Sequence, residues 1–188
     1  MHDPEYLIQT QRLGLRQWLP KDRRPFIAMN ADPLVMEHFP APYTEEESEG
    51  HLSKIKIHHA QNGYGWWAVD HLKEERFIGC IGLSTVNFSA PFVPAVEVGW
   101  RLQAEYWNQG LATEGAMAAL FYGFQVLKLP KIVSFTALPN KASQKVMKKL
   151  GLQRKGEFDH PKLEKEHRLC RHVYYELTLN EYLKLQSR

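Results

Sequence analysis

Val96-Glu97-Val98-Gly99-Trp100-Arg101-Leu102-Gln103-Ala104-Glu105-Tyr106-Trp107-Asn108-Gln109-Gly110-Leu111-Ala112-Thr113 is the stretch that decides the fold. Apolar residues alternate along it up to Leu102, so 95–102 is predicted as a strand. Gln103 to Gly110 reads as a turn, and a helix is predicted from about Gly110 to Leu127. Ala112, Ala116, Ala119, Leu120, Gly123 and Leu127 fall on one stripe of that helix. Side chains this small let a helix axis approach a sheet closely, so the helix is expected to lie flat on the strands. Its first turn leaves the backbone N–H groups of Gln109, Gly110, Leu111, Ala112 and Thr113 without helical partners. With the positive end of the helix dipole they form an anion site suited to a phosphate or pyrophosphate. Gly110 lets an oxyanion come close to the backbone. An ordinary helix start would carry the same residues. The stretch lacks a G-x-G-x-x-G series and a G-K-[ST] ending, which disfavours Rossmann dinucleotide binding and P-loop chemistry.

Upstream, Thr10 to Trp18 alternates as a first strand. Pro20, Lys21 and Asp22 open a short helix through Phe26, Ile27 and Met29, and Asp32-Pro33 restarts it as a second turn. Thr44 with Glu47 makes a capping box for a helix through Leu52, Ile55 and His59, stopped by Asn62-Gly63. Trp66–Val69 and Arg76–Leu83 are expected to form a hairpin around His71 to Glu75. Downstream, Lys131–Ala137 is a strand, Asn140–Leu150 a helix ended by Gly151, and Arg168–Leu179 a strand. Antiparallel strands come first and strand–helix alternation follows. The expected class is α+β: a mixed, mostly antiparallel central sheet with helices on both faces, in one domain over 1–188.

Composition bounds the function. With 188 residues, 44% hydrophobic and 24% charged, the chain is globular and needs no metal or disulfide to hold a core. Lys plus Arg total 24 against 21 for Asp plus Glu, a balance too even for a protein whose main task is gripping nucleic acid. Cys80 and Cys170 fit no zinc or disulfide spacing and read as buried thiols. His51, His58 and His59 share a helix, but no Asp, Glu or Cys completes a metal motif, so no metal is expected. No run reaches a membrane-spanning length. Met1 to Arg12 carries Asp3, Pro4 and Glu5 where a signal peptide needs apolar residues, so a cytoplasmic location is expected.

Glu97 to Leu102 followed by Tyr106 to Glu114 resembles the fourth strand and acetyl-CoA loop of the GNAT acetyltransferase superfamily. Asn140-Lys141-Ala142-Ser143 with Val146, Met147, Leu150 and Gly151 resembles its N-x-x-S…L-G segment. Thr10 to Arg16 and Arg171 to Tyr175 look like the branch holding the ribosomal-protein alanine acetyltransferases RimJ and RimL. The resemblance spans nearly the whole chain. It implies a splayed parallel strand pair, Ala95–Leu102 and Lys131–Ala137, that receives acetyl-CoA. It further implies pantetheine on the backbone of Trp100, Arg101 and Leu102, pyrophosphate on the amides from Gln109 to Thr113, and a cofactor contact at Asn140. The loop of the family usually reads [QR]-x-x-G-x-[GA]. Trp107 stands at its first place, which removes one polar contact; Asn108 and the loop amides remain.

Acetyl transfer to an amine needs loss of a proton from an ammonium and stabilisation or protonation of the departing thiolate. Glu97 is the base candidate; its alternative role is a half-buried strand residue that fixes a neighbour. Ser143 could donate to the sulfur, or instead contact the cofactor or cap its helix. Many members carry a Tyr acid where Met147 stands, so a Tyr acid is excluded here. Lys141, Lys145, Lys148 and Lys149 share a face that could meet the 3′-phosphate of CoA or be simply solvated. Phe39, Tyr43, Trp66 and Trp107 could line an acceptor pocket or belong to the core, and His160 and His172 could assist proton transfer. The expected activity is direct attack of a bound amine on acetyl-CoA in a ternary complex. The acceptor is expected to be a protein N-terminal amine; a small amine such as a polyamine, amino acid or aminoglycoside, or a non-catalytic acyl-CoA sensor, is the alternative. An acidic acceptor pocket would favour polyamines and an open groove peptide termini. The resemblance also permits a homodimer.

Overall fold

A computed structural model describes residues 5–187; Asp3 and Pro4 lie outside them. Eight strands form one sheet: β1 (Tyr6–Gln9), β2 (Leu13–Arg16), β3 (Trp66–His71), β4 (Arg76–Thr85), β5 (Val96–Leu102), β6 (Lys131–Ala137), β7 (Gln153–Asp159) and β8 (Arg171–Thr178). Their order across the sheet is β1-β2-β3-β4-β5-β6-β8-β7. Every pairing is antiparallel except β5 with β6. Five helices cover it: α1 (Arg23–Ala31), α2 (Glu45–Asn62), α3 (Leu111–Phe121), α4 (Lys141–Lys149) and α5 (Leu179–Gln186). The α+β class, the helices on both faces and the splayed pair are thus as the sequence led us to expect.

Alternation along the strands sorts the two faces. On one face, Trp67, Val69, Ile81, Val98 and Leu102 pack with Leu111, Ala116, Leu120, Phe124, Met147 and Tyr182, which carries α3, α4 and α5. On the other, Ala68, Phe77 and Cys80 pack with Phe26, Met29, Leu52 and Ile55 of α1 and α2. The helix lies close on the strands as expected: Ala116 and Ala119 of the stripe are buried, and a Cβ on Gly115, outside it, would fall 2.4 Å from Ile81 Cδ1, so β4 would have to give way.

Several boundaries differ from the pattern reading. α3 ends at Phe121 and passes into a π-turn, Tyr122–Val126, instead of running on to Leu127. The expected second turn after Asp32 is present as hydrogen-bonded turns, Met36 N donating to Asp32 O at 3.0 Å, without becoming a helix, and the strand expected over Thr10 to Trp18 is only Leu13–Arg16. β1, β7 and α5 carry no apolar pattern strong enough to have been read. The capping box of α2 is present, with Thr44 Oγ1 accepting from Glu47 N at 3.1 Å and Glu47 Oε2 from Thr44 N at 2.8 Å.

Candidate active site

The parallel pairing of β5 and β6 lasts for two rungs, Val96 with Ile132 and Glu97 with Val133. Beyond them β5 stays paired to β4 as far as Leu102, while β6 stays paired to β8 as far as Ala137. The strands therefore fork, and the facing edges of Gly99–Leu102 and Ser134–Ala137 have no strand partner. Such an edge offers backbone donors and acceptors to an extended ligand. Trp100, Arg101 and Leu102 lie along it, where pantetheine contacts were expected.

At the mouth of the fork stands the α3 N-terminus. Asn108 (φ 59°) and Gly110 (φ 80°) are both left-handed, turning the chain so that the first amides of α3 face outward. No side chain caps this end. The amides of Leu111, Ala112 and Thr113 are therefore available to an anion. Arg12, which pattern reading left on a strand, adds a cation here. Its Nη1 donates to Gln109 O at 2.9 Å, and its Nε donates to Glu114 Oε2 at 2.7 Å. Thr10 and the Arg12 amide hold the other Glu114 oxygen at 2.6 and 2.9 Å. Glu114 stays ionised because those donors outweigh its burial, which by itself raises its pKa. Trp107 does not face the loop with a free donor; its indole N–H bonds Leu102 O at 2.9 Å, tying the loop to the strand end.

The other expected cofactor residues sit across the fork. Asn140 caps α4, its Oδ1 accepting from Ser143 N at 3.0 Å. Ser143 is half-buried at the third position of α4, and Met147 is buried one turn on.

On the α1–α2 face, Glu97, Gly99 and Arg101 alternate along β5. Glu97 is half-buried, and among the described residues no hydrogen bond or ion pair ties its carboxylate. Burial raises its pKa to about 7, against the pull of the Lys162 ammonium. Trp66 lies over Gly99, where a Cβ would meet its ring at 2.4 Å. The Arg101 guanidinium stacks 4.3 Å from the Phe39 ring centroid and 5.7 Å from that of Tyr43. Phe39 and Tyr43 thus stand at the Arg101 end of this face and Trp66 at Gly99, and all three also pack against the α1–α2 core. On the far side, Phe88, Phe92, Phe135 and Phe158 cluster with His160 and His172, whose rings are 4.9 Å apart. Burial lowers both imidazoles, His160 to about 4, so they are neutral at pH 7. Arg168 Nη2 donates to Glu37 O at 2.7 Å, linking the β7–β8 loop to the segment before α2. Arg12, Arg101 as a side chain, Lys162 and Arg168 were missed because their roles arise from partners far away in the chain. Among the described residues no group of three His, Cys, Asp or Glu could hold a metal ion. No helix there is long and apolar enough to cross a membrane.

Comparison with known proteins agrees with this geometry. Residues 12–153 match the family model of the acetyltransferase (GNAT) domain. The chain is 32% identical to the uncharacterized N-acetyltransferase YnaD of Bacillus subtilis, over 80% of this chain and 85% of that protein. It is 29% identical to the FsC-acetyl coenzyme A-N(2)-transacetylase of Aspergillus fumigatus, over 96% of this chain and 79% of that one. The crystal structure of a GNAT-family acetyltransferase from Bacillus anthracis is similar at TM-score 0.73 and 27% identity, covering 92% and 98% of the two chains. RimL, the ribosomal L7/L12 α-N-protein acetyltransferase solved with CoA, is similar at TM-score 0.74 but 16% identical, covering 94% and 99%. That last likeness is one of fold alone.

Proposed function

The chain belongs to the GNAT acetyltransferase family and is an acetyl-CoA-dependent N-acetyltransferase; we propose that its acceptor is the N-terminal α-amine of a protein or peptide. The carrying observation is Glu97, a carboxylate at the fork with no hydrogen-bond or ion-pair partner among the described residues, whose pKa is raised to about 7. An α-amine loses its proton at about 7.7–8.0, within about one unit of that value, whereas a lysine-like amine at about 10.4 lies more than about three units away. The acceptor strip supports the same reading. From Glu97 to Arg101 it follows one strand for four residues, roughly 13 Å, a length suited to the first residues of an extended chain.

Acetyl-CoA supplies the thioester. In this reading the amides from Gln109 to Thr113 hold its pyrophosphate and the free edge of Trp100–Leu102 holds its pantetheine arm. Glu97 accepts the proton of the ammonium, the freed nitrogen attacks the carbonyl carbon, and the carbon–sulfur bond breaks. The Ser143 hydroxyl donates to the departing sulfur and takes up in turn the second proton, which the nitrogen sheds as the amide forms, so that free thiol leaves and Glu97 returns its own proton to solvent. Holding amine and thioester in line contributes up to roughly 7–11 kcal/mol. A RimJ/RimL-like role is the specific form of this proposal. A second reading, a non-protein amine, is favoured by the 29% identity to a protein named as an N(2)-transacetylase.

Thiol release from acetyl-CoA over a panel of peptides and small amines tests the proposal. Peptides with free α-amines should be turned over in preference to diamines, and their Nα-acetylated forms not at all. In Glu97→Gln turnover should fall about 10²–10⁴-fold while acetyl-CoA affinity holds. Unchanged turnover in that variant, or a preference for diamines, overturns the reading.

A further inference from the structure

Arg101 is a cation without a counter-charge. Among the described residues no carboxylate lies within ion-pair distance of its guanidinium, although eleven Lys or Arg ion pairs occur elsewhere. Of the five N–H donors of an arginine, one has an acceptor: Nη1 to Asn30 Oδ1 at 2.6 Å. Its Nε is buried and has no acceptor among the described residues. Asn30 is itself fully buried and held by Ser48, so the guanidinium is aimed by a rigid amide instead of being free to leave for water. Phe39 and Tyr43 shield it on the ring side. The titratable groups that feel its charge, His51 and Cys80, are neutral at pH 7 and give it no compensation. Removing a cation from water without an anion is costly, and a protein that maintains such a site gains from an anion that arrives with a ligand. A guanidinium is also the group best matched in shape to a carboxylate.

Arg101 shares the acceptor face with Glu97, four residues along β5, and the Trp66 ring covers the Gly99 gap between them. We infer that Arg101, positioned by Asn30, is the receptor for a carboxylate carried by the acceptor, whose amine is placed at Glu97. This rests on the proposed acetyl transfer at that same site and adds the chemical class of the acceptor: an amine tethered to an anion. In a peptide it is an acidic side chain within the first four residues; in a small molecule, an amino-carboxylate. Simple di- and polyamines, which offer only cations, are rejected by the same charge.

The test compares kcat/KM of the wild-type chain for Ala-Ala-Asp-Ala amide, Ala-Ala-Asn-Ala amide, 8-aminooctanoate and 1,8-diaminooctane, the last two long enough to reach along the strip. At least a tenfold advantage of each carboxylate compound over its uncharged or cationic counterpart is expected. In Arg101→Gln that advantage should vanish through a rise in KM, while Arg101→Lys should retain part of it. Acetyl-CoA affinity, measured by calorimetry, separates loss of the acceptor subsite from damage to the cofactor edge. Equal KM for the Asp and Asn peptides together with turnover of 1,8-diaminooctane overturns the inference. So does Arg101→Gln weakening acetyl-CoA as much as the acceptor. Preference for 8-aminooctanoate with no peptide acetylated upholds the carboxylate receptor and refutes the peptide reading alone.

Discussion

The carboxyl of Glu97 gives up its proton near pH 7, about 2.5 units above an ordinary Glu, because burial opposes its charge. Its effects on rate and on stability have opposite signs. As a base it works only when ionised, so kcat/KM should fall tenfold per pH unit below about 7, and the profile should lose that limb in Glu97→Gln. For stability, a group whose folded pKa is raised favours the fold while protonated. The fold is therefore best supported below the ordinary Glu range, and that support is lost as pH rises from about 4.5 to about 7. Glu97→Gln should then unfold at higher denaturant than wild type at pH 8, by up to about 3 kcal/mol, with the difference gone at pH 4. An unfolding series at the two pH values checks this. A lone Glu in an apolar strand was legible as a candidate base; the absence of any partner around it was not, because that depends on neighbours folded in from other elements.

Elements show the same division. The strand–turn–helix of 96–121 could be read locally, since its alternation, turn residues and small stripe all lie in one continuous run. Gly110→Val should weaken acetyl-CoA at least tenfold. A β-branched residue disfavours the left-handed backbone by about 1–2 kcal/mol and re-aims the amides, although its Cβ has room, 3.5 Å from Arg12 Nη2. Titration calorimetry reads that loss. β7 escaped the pattern because it is an edge strand whose sequence, Gln-Arg-Lys-Gly-Glu-Phe-Asp, buries only Phe158. Arg16 lies in the alternating stretch expected as a strand, and the structure buries it, 1% exposed, between Asp22 and Asp70. It joins β2, β3 and the turn before α1 through hydrogen bonds of 2.6–2.9 Å. Removing it strands two buried carboxylates, so Arg16→Met should cost about 3–5 kcal/mol, measured by chemical denaturation.

Across the whole molecule, class and layering followed from the order of periodic segments, whereas long-range pairings such as Arg101 with Asn30, 71 residues apart, follow only from the assembled sheet. The fork has a consequence of its own at this scale. In strand pairing among the described residues, two rungs join the five-strand part, β1 to β5, to the three-strand part, β6 to β8; the rest of the joint is side-chain packing under α3 and around Phe92. Acetyl-CoA lying between them should slow amide exchange at Gly99–Leu102 and Ser134–Ala137, and at a hundredfold excess over its Kd add about 2.7 kcal/mol of stability. Hydrogen exchange with and without CoA measures both. On the proposed reading the cofactor doubles as a crosspiece between the two parts of the sheet, and each catalytic cycle takes that mortar out and lays it again.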